Sequence, residues 1–278
     1  MHREVAAAGK TRTAQAVLFN FRFATRLTTM SFRIKATAWH SLASACVALA
    51  ASWLVFGVWY PSPLGKLAGG SSLFLLLMGV DLILGPLLTL IVANPSKQSR
   101  ELARDLGVIL AIQVSALAFG VHAVASARPA ILAFEIDVFR VVSANEVEQE
   151  QLAMAPISVR NLSWSGPTTL AAVRPTSEQE QYETIHLAIA GIPLAALPRY
   201  WRNYDDHAGL AWDRASPIAK ILNQQPNLKQ EIDKIAYRAQ VDPTLLRVLP
   251  LLARRAEGMV LLAPGGRVAG MLAATAPP

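Results

Sequence analysis

The chain has 278 residues, of which 53% are hydrophobic and only 16% charged, which is too apolar for an ordinary soluble protein. Its net charge of +7 lies wholly in residues 1–127, with 11 Lys+Arg against 4 Asp+Glu, while residues 128–278 carry 15 of each. A basic surplus that flanks apolar segments is explained by membrane topology, so nucleic acid is set aside as a partner, and the single cysteine, Cys46, excludes an intramolecular disulfide and a cysteine-based metal site.

Residues 1–35 form a basic N-terminus, with Arg3, Lys10, Arg12, Arg22, Arg26, Arg33 and Lys35 against Glu4. The stretch AQAVLFNFRFATRL could lie on a membrane surface as a basic amphipathic helix. The simpler reading is that Met30, which begins MSFRIK, is the start, and that residues 1–29 are an upstream extension from Met1.

Residues 36–60 read as a first transmembrane helix, uncharged apart from His40, with Trp39 at one end and Trp59-Tyr60 at the other. Ala48-Leu49-Ala50 resembles a signal-peptide cleavage site, but the apolar run continues through Ser52-Trp53-Leu54-Val55-Phe56, so a retained helix is expected. A turn-rich connection, 61–72, carries one basic residue, Lys66.

The second apolar segment, residues 73–93, is the segment around which the chain is organised. It holds one carboxylate, Asp81, followed by Gly85 and Pro86, which are expected to bend the helix and free a backbone carbonyl. An aspartate at bilayer depth costs roughly 2.5–3.5 kcal/mol, so it needs a use or a partner. It could bind a partner helix or relay protons, or it could be satisfied inside the bundle, where Ser52 lies at similar depth and Gln113 and Ser115 a little deeper. The loop 94–105 carries Lys97, Arg100 and Arg104, and residues 106–127 read as a third, uncharged span. The positive-inside rule then places residues 1–35 and 94–105 in the cytoplasm and 61–72 outside. Three spans put residues 128–278 on the outer side, which in a bacterial inner membrane is the periplasm.

The exported part reads as a small α+β domain. Residues 131–142 alternate as a strand, Asn145–Met154 as a short acidic helix, and Thr168–Val173 as a strand. Ser177 caps a helix running to about Ala190, stopped by Gly191-Ile192-Pro193. Leu197–Tyr204 reads as an aromatic, basic loop in which Tyr200 and Trp201 either anchor a partner or cover the domain's own core. Ser216-Pro217 is expected to cap a helix, and Pro226 to open another whose buried face is Leu228, Ile232, Ile235 and Ala236. Strands at 245–253 and 259–262, with a Pro264-Gly265-Gly266 turn and a return at 267–273, close the domain.

No catalytic motif, phosphate loop or cofactor fingerprint occurs, and the five histidines have no metal-binding spacing; the Asp205-Asp206-His207 run reads as a solvated loop. A non-enzymatic protein without metal or cofactor is expected.

Several segments together resemble the TfpX/TfpZ-type type IV pilin accessory proteins. The run Gly79–Val92 matches that family's second-helix motif, and Trp59-Tyr60-Pro61, Arg128-Pro129, Phe134, Asp137, Trp164-Ser165-Gly166-Pro167, Leu197-Pro198-Arg199-Tyr200 and Leu249-Pro250-Leu251 continue it from about Met30 onward. The chain departs at Gly191, where the family tends to show a second glycine and then Pro-Asp; here Ile192-Pro193-Leu194 follows. The resemblance implies a chaperone-like inner-membrane accessory whose partners are the type IV major pilin and the lipid bilayer. The alternative is a small proton-coupled or ligand-sensing membrane protein centred on Asp81.

Overall fold

The computed structural model describes residues 29–274. The basic segment 1–28, with its candidate surface helix and the question of Met1 against Met30, lies outside the described residues. The described residues pack as two compact units, one taking residues 29–51 and 76–120, the other 52–75 and 121–274.

In chain order the first helices are α1 (Thr29–Trp59), α2 (Leu64–Ala68), α3 (Gly70–Val92) and α4 (Ser99–Ser126). Among the described residues, α1, α3 and α4 are long and apolar enough to cross a membrane. Pro86 lies inside α3, which runs through it unbroken. The last turns of α1, Trp53–Trp59, are π-helical, and the Tyr60 N–H donates to Val55 O at 2.7 Å.

The second unit is built on a mixed sheet. Its strands are β1 (Pro129–Glu135), β2 (Val138–Ser143), β3 (Thr168–Ala172), β4 (Trp201–Asn203), β5 (Ser216–Pro217), β6 (Arg247–Leu252), β7 (Glu257–Leu262) and β8 (Val268–Ala273). They lie in the order β4-β3-β1-β2-β6-β7-β8, with β5 paired to β6; β1–β3 and β2–β6 are parallel and the other pairs antiparallel. The helices are α5 (Glu178–Ile189), α6 (Ala208–Arg214), α7 (Ile218–Gln224) and α8 (Lys229–Ala239).

Period-2 alternation divides the core. On one face Leu132, Phe134, Phe139, Leu249, Leu251, Val260 and Leu262 pack with Ala211 of α6 and with Leu64 and Leu67 of α2. On the opposite face Ile131, Ala133, Val142 and Leu170 pack with Leu197, Tyr200 and Trp201, while Val248 and Leu261 pack with Ile218, Ile232 and Ala236 of α7 and α8. The connection between the first two long helices is therefore part of the domain's core.

Four local expectations are corrected. Residues 131–142 are not one strand but a hairpin, β1 and β2, reversed at Ile136-Asp137, where Ile136 takes φ 64°. The apolar alternation runs through the reversal, and no glycine or asparagine marks it. Ser216-Pro217 does not cap a helix; it pairs as β5 with Val248 and Arg247, and Pro217 keeps an extended ψ of 140°. The acidic helix shrinks to a 3-10 turn at Gln149–Met154, because the Glu146 carboxylate accepts from the Ser143 N–H and fixes a turn before it. The aromatic loop likewise becomes a 3-10 turn, Pro198–Tyr200, followed by β4. Ser177 does cap α5, accepting from the Glu180 N–H at 3.2 Å.

Candidate functional site

Asp81, Gly85 and Thr89 recur at four-residue intervals and so share one face of α3. The Gln113 side-chain amide of α4 donates to Asp81 Oδ1 at 3.1 Å. Gly85 makes this possible, because a Cβ there would collide with the Gln113 amide. Two turns along, Thr89 shares a hydrogen bond with His40 of α1, and at the end of α3 the Arg33 guanidinium donates to Ala93 O at 2.8 Å. Asp81 and Gly85 thus belong to one polar line through apolar helices, with Pro86 beside it. Gln113 Oε1 and Thr37 Oγ1, both in this unit, are buried without partners.

Tyr200 and Trp201 are elsewhere, in the domain. Trp201 is fully buried and its indole N–H donates to Ala195 O at 2.9 Å; Tyr200 is also buried, beneath Arg199. What this turn offers to solvent is Arg202 and Asn203. Asp205 and Asp206 are exposed, and among the described residues no cluster of His, Cys, Asp and Glu could hold a metal.

A third arrangement joins motifs that are far apart in sequence. Arg128 lies 3.8 Å over the Trp164 ring, donates to Ser163 O at 3.0 Å, and donates to Ala125 O at 2.9 Å, which caps the end of α4. Trp164 stacks obliquely against Trp59, the Gly166 N–H donates to Val58 O, and the Tyr60 hydroxyl donates to Val124 O. Burial lowers the Arg128 guanidinium pKa from its usual value. These residues were visible in the sequence only as separate short motifs; Trp59-Tyr60 and Arg128 adjoin the ends of apolar runs, whereas nothing local marks Trp164 as their partner.

Finally, α5 buries no side chain completely and leaves Tyr182, Ile185 and Ile189 exposed at helical spacing. Beside it a cleft of about 320 Å³ is lined by Ile136, Arg174, Ile185, Ala188 and Leu194 among others.

These features define a class: apolar helices of membrane-crossing length joined to a mixed α+β domain. A family profile described as fimbrial assembly protein FimB matches residues 28–69. The chain is 32% identical over 233 residues to the fimbrial assembly protein of Dichelobacter nodosus serogroup E1, an alignment covering 83% of this chain and 91% of that protein. Its likeness to the serogroup I protein has the same extent, and that to the serogroups C1 and C2 protein is 39% over 124 residues, covering 45% of this chain and 95% of that one. The chain belongs to this family of fimbrial assembly proteins. No solved structure matches it.

Proposed function

We propose that this protein is a non-catalytic inner-membrane accessory of type IV pilus assembly, of the TfpX/TfpZ type, that acts by binding the pilin in a chaperone-like way. The observation that carries the reading is the likeness to fimbrial assembly proteins over 83% of the chain. A pilin held in the membrane presents an apolar helix in the bilayer and a globular domain outside it. Asp81, half-buried above the packed Gly85 and Pro86, gives a helix partner a polar contact in the bilayer, and the exposed face of α5 gives a globular partner a surface.

Two ties support this orientation. Leu64 and Leu67 share a core with β1, β2, β6 and β7, so residues 61–72 and the domain of residues 128–278 belong on one side of the membrane. The Arg33–Ala93 bond joins the start of α1 to the end of α3, next to which Lys35, Lys97, Arg100 and Arg104 lie in sequence. The basic side is the cytoplasm by the positive-inside rule, which leaves the domain in the periplasm.

Deleting the gene tests the function: pilin level and piliation should fall, and tagged protein should retain pilin. Unchanged pilin level and piliation overturn the proposal. Asp81→Asn separates the two roles of the carboxyl. If pilin is retained but piliation is lost, the proton-coupled alternative gains; if retention is lost, Asp81 acts by packing against the partner.

A further inference from the structure

We infer that Trp164 is an interfacial membrane anchor, its exposed indole seated among lipid headgroups at the acyl boundary and locked in place by Arg128. The inference rests on the membrane-crossing reading of α1 and α4 and adds to it a lipid contact made by the domain itself. Three observations fix the position of Trp164 along the membrane normal. Its ring centroid is 6.3 Å from that of Trp59, the last residue of α1. The next turn of its loop is tied back to α1 by the Gly166 N–H to Val58 O bond of 3.1 Å. Its ring also lies under the guanidinium of Arg128, which caps α4 through Ala125 O. A residue so tied to the ends of two spanning helices lies where hydrocarbon gives way to water.

The contrast with Trp201 points to lipid. Trp201 is fully buried, whereas Trp164 leaves 60% of its surface open although two of its neighbours, Trp59 and Arg128, are themselves buried. An indole has an apolar body and one N–H, which suits the headgroup–acyl boundary better than either water or hydrocarbon. Arg128 does not reach out for phosphate: it is itself buried, its Nε and Nη1 donate to Ser163 O and Ala125 O, and its role is to hold the ring.

The test uses the full chain in phosphatidylcholine–phosphatidylglycerol vesicles containing lipids brominated either near the headgroup or near the terminal methyl. Subtracting the emission of Trp164→Phe from that of the parent isolates Trp164. Headgroup-proximal bromine should quench this difference at least about twofold more strongly than deep bromine. Quenching by aqueous acrylamide alone, or by none of these agents, overturns the inference; the last result means that protein covers the ring. Trp53, 72% exposed inside α1, is isolated in the same way by Trp53→Phe. If Trp53 is quenched by lipid and Trp164 is not, the anchor fails and the membrane reading stands; if neither is quenched, both fail. Should Trp164→Phe fold poorly, a nitroxide at Ser165 (Ser165→Cys with Cys46→Ser) should collide with oxygen and with an aqueous nickel chelate as a headgroup-depth site does, and a solvent-like ratio overturns the inference.

Discussion

Replacing Gln113 by leucine isolates the bond at the centre of the helical unit. The Gln113 amide donates to Asp81 Oδ1 at 3.1 Å, between α4 and α3. Interhelical hydrogen bonds in membranes are worth about 0.6 kcal/mol on average and up to about 1.7. A carboxyl acceptor belongs at the upper end. Gln113→Leu also strands that carboxyl among apolar side chains, where an unpaired acid costs roughly 2.5–3.5 kcal/mol at full depth. Asp81 is half-buried, so part of that cost is relieved, and a loss of about 2 kcal/mol is expected. Asp81→Leu leaves the amide only its long 3.5 Å bond to the backbone O of residue 81 and should cost about 1–2 kcal/mol. The double change leaves neither group stranded, so the singles should not add, with a coupling of about 1–2 kcal/mol. Asp81→Asn keeps the acceptor oxygen and should cost less than about 0.5 kcal/mol. Reversible unfolding of the full chain in bicelles by steric trapping measures all four variants. Additive single effects refute the claim that the bond joins α3 to α4. An Asp81→Asn loss as large as that of Asp81→Leu shows that charge, not the hydrogen bond, is what the site holds.

Gly85→Leu should be as harmful as Gln113→Leu in the same assay, because any Cβ at 85 meets the Gln113 amide; a neutral result means the helices can separate freely there. In the domain, the Tyr204 hydroxyl donates to Gly266 O, and burial, with Asp205 beside it, raises the phenol above its ordinary 10.0. The folded state therefore keeps the proton longer than the unfolded state. This contribution is complete below pH 10 and is lost as pH rises above it, so the domain's stability should fall on the alkaline side and Tyr204→Phe should flatten that fall. Leu67→Ala should lower domain stability by about 2–5 kcal/mol in thermal unfolding, since Leu67 is fully buried, whereas Leu245→Ala at a half-exposed site should change it by less than about 1 kcal/mol.

What could be read from the sequence followed the range of the interaction that decides it. The long apolar helices were legible because length and composition determine them within one segment. Ser177 and Glu180 announced α5 because a cap is a contact over three residues. Asp81 stood out as an acid in an apolar run. Its partner was narrowed to a few polar residues by depth alone, and the choice of Gln113 depends on helix rotation, which depth does not carry. The Thr89–His40 bond could have been suspected only from the eight-residue spacing of Asp81 and Thr89. The Ile136-Asp137 reversal was hidden because its residues keep the strand's alternation. Trp201 was ambiguous for a different reason: an aromatic residue in a turn has the same composition whether it faces solvent or core. Only the register of β4 against β3, which aligns Trp201 with Ala172, turns it inward.

The least legible feature is also the one with most consequence for the domain. Leu64 and Leu67 precede β1 by some sixty residues and two long helices, yet they fill the same core face as Phe139 and Leu251, and the Arg255 N–H donates to Leu67 O at 3.0 Å. A fragment of residues 128–278 alone lacks both side chains. Fully burying a leucine contributes about 1.5–3 kcal/mol, so the fragment forgoes about 3–6 kcal/mol against a domain total of about 5–15. Such a fragment should be marginal, exposing the floor that α2 covers, whereas one in which residues 60–70 are fused ahead of Arg128 through a flexible linker should regain most of the difference. Equal stability of the two fragments would mean that α2 only rests on the sheet. A gain on adding α2 means that insertion of α1 and α3 delivers a structural piece of the domain, so that the domain reaches full stability only where its own helices have placed the 60–70 segment beside it.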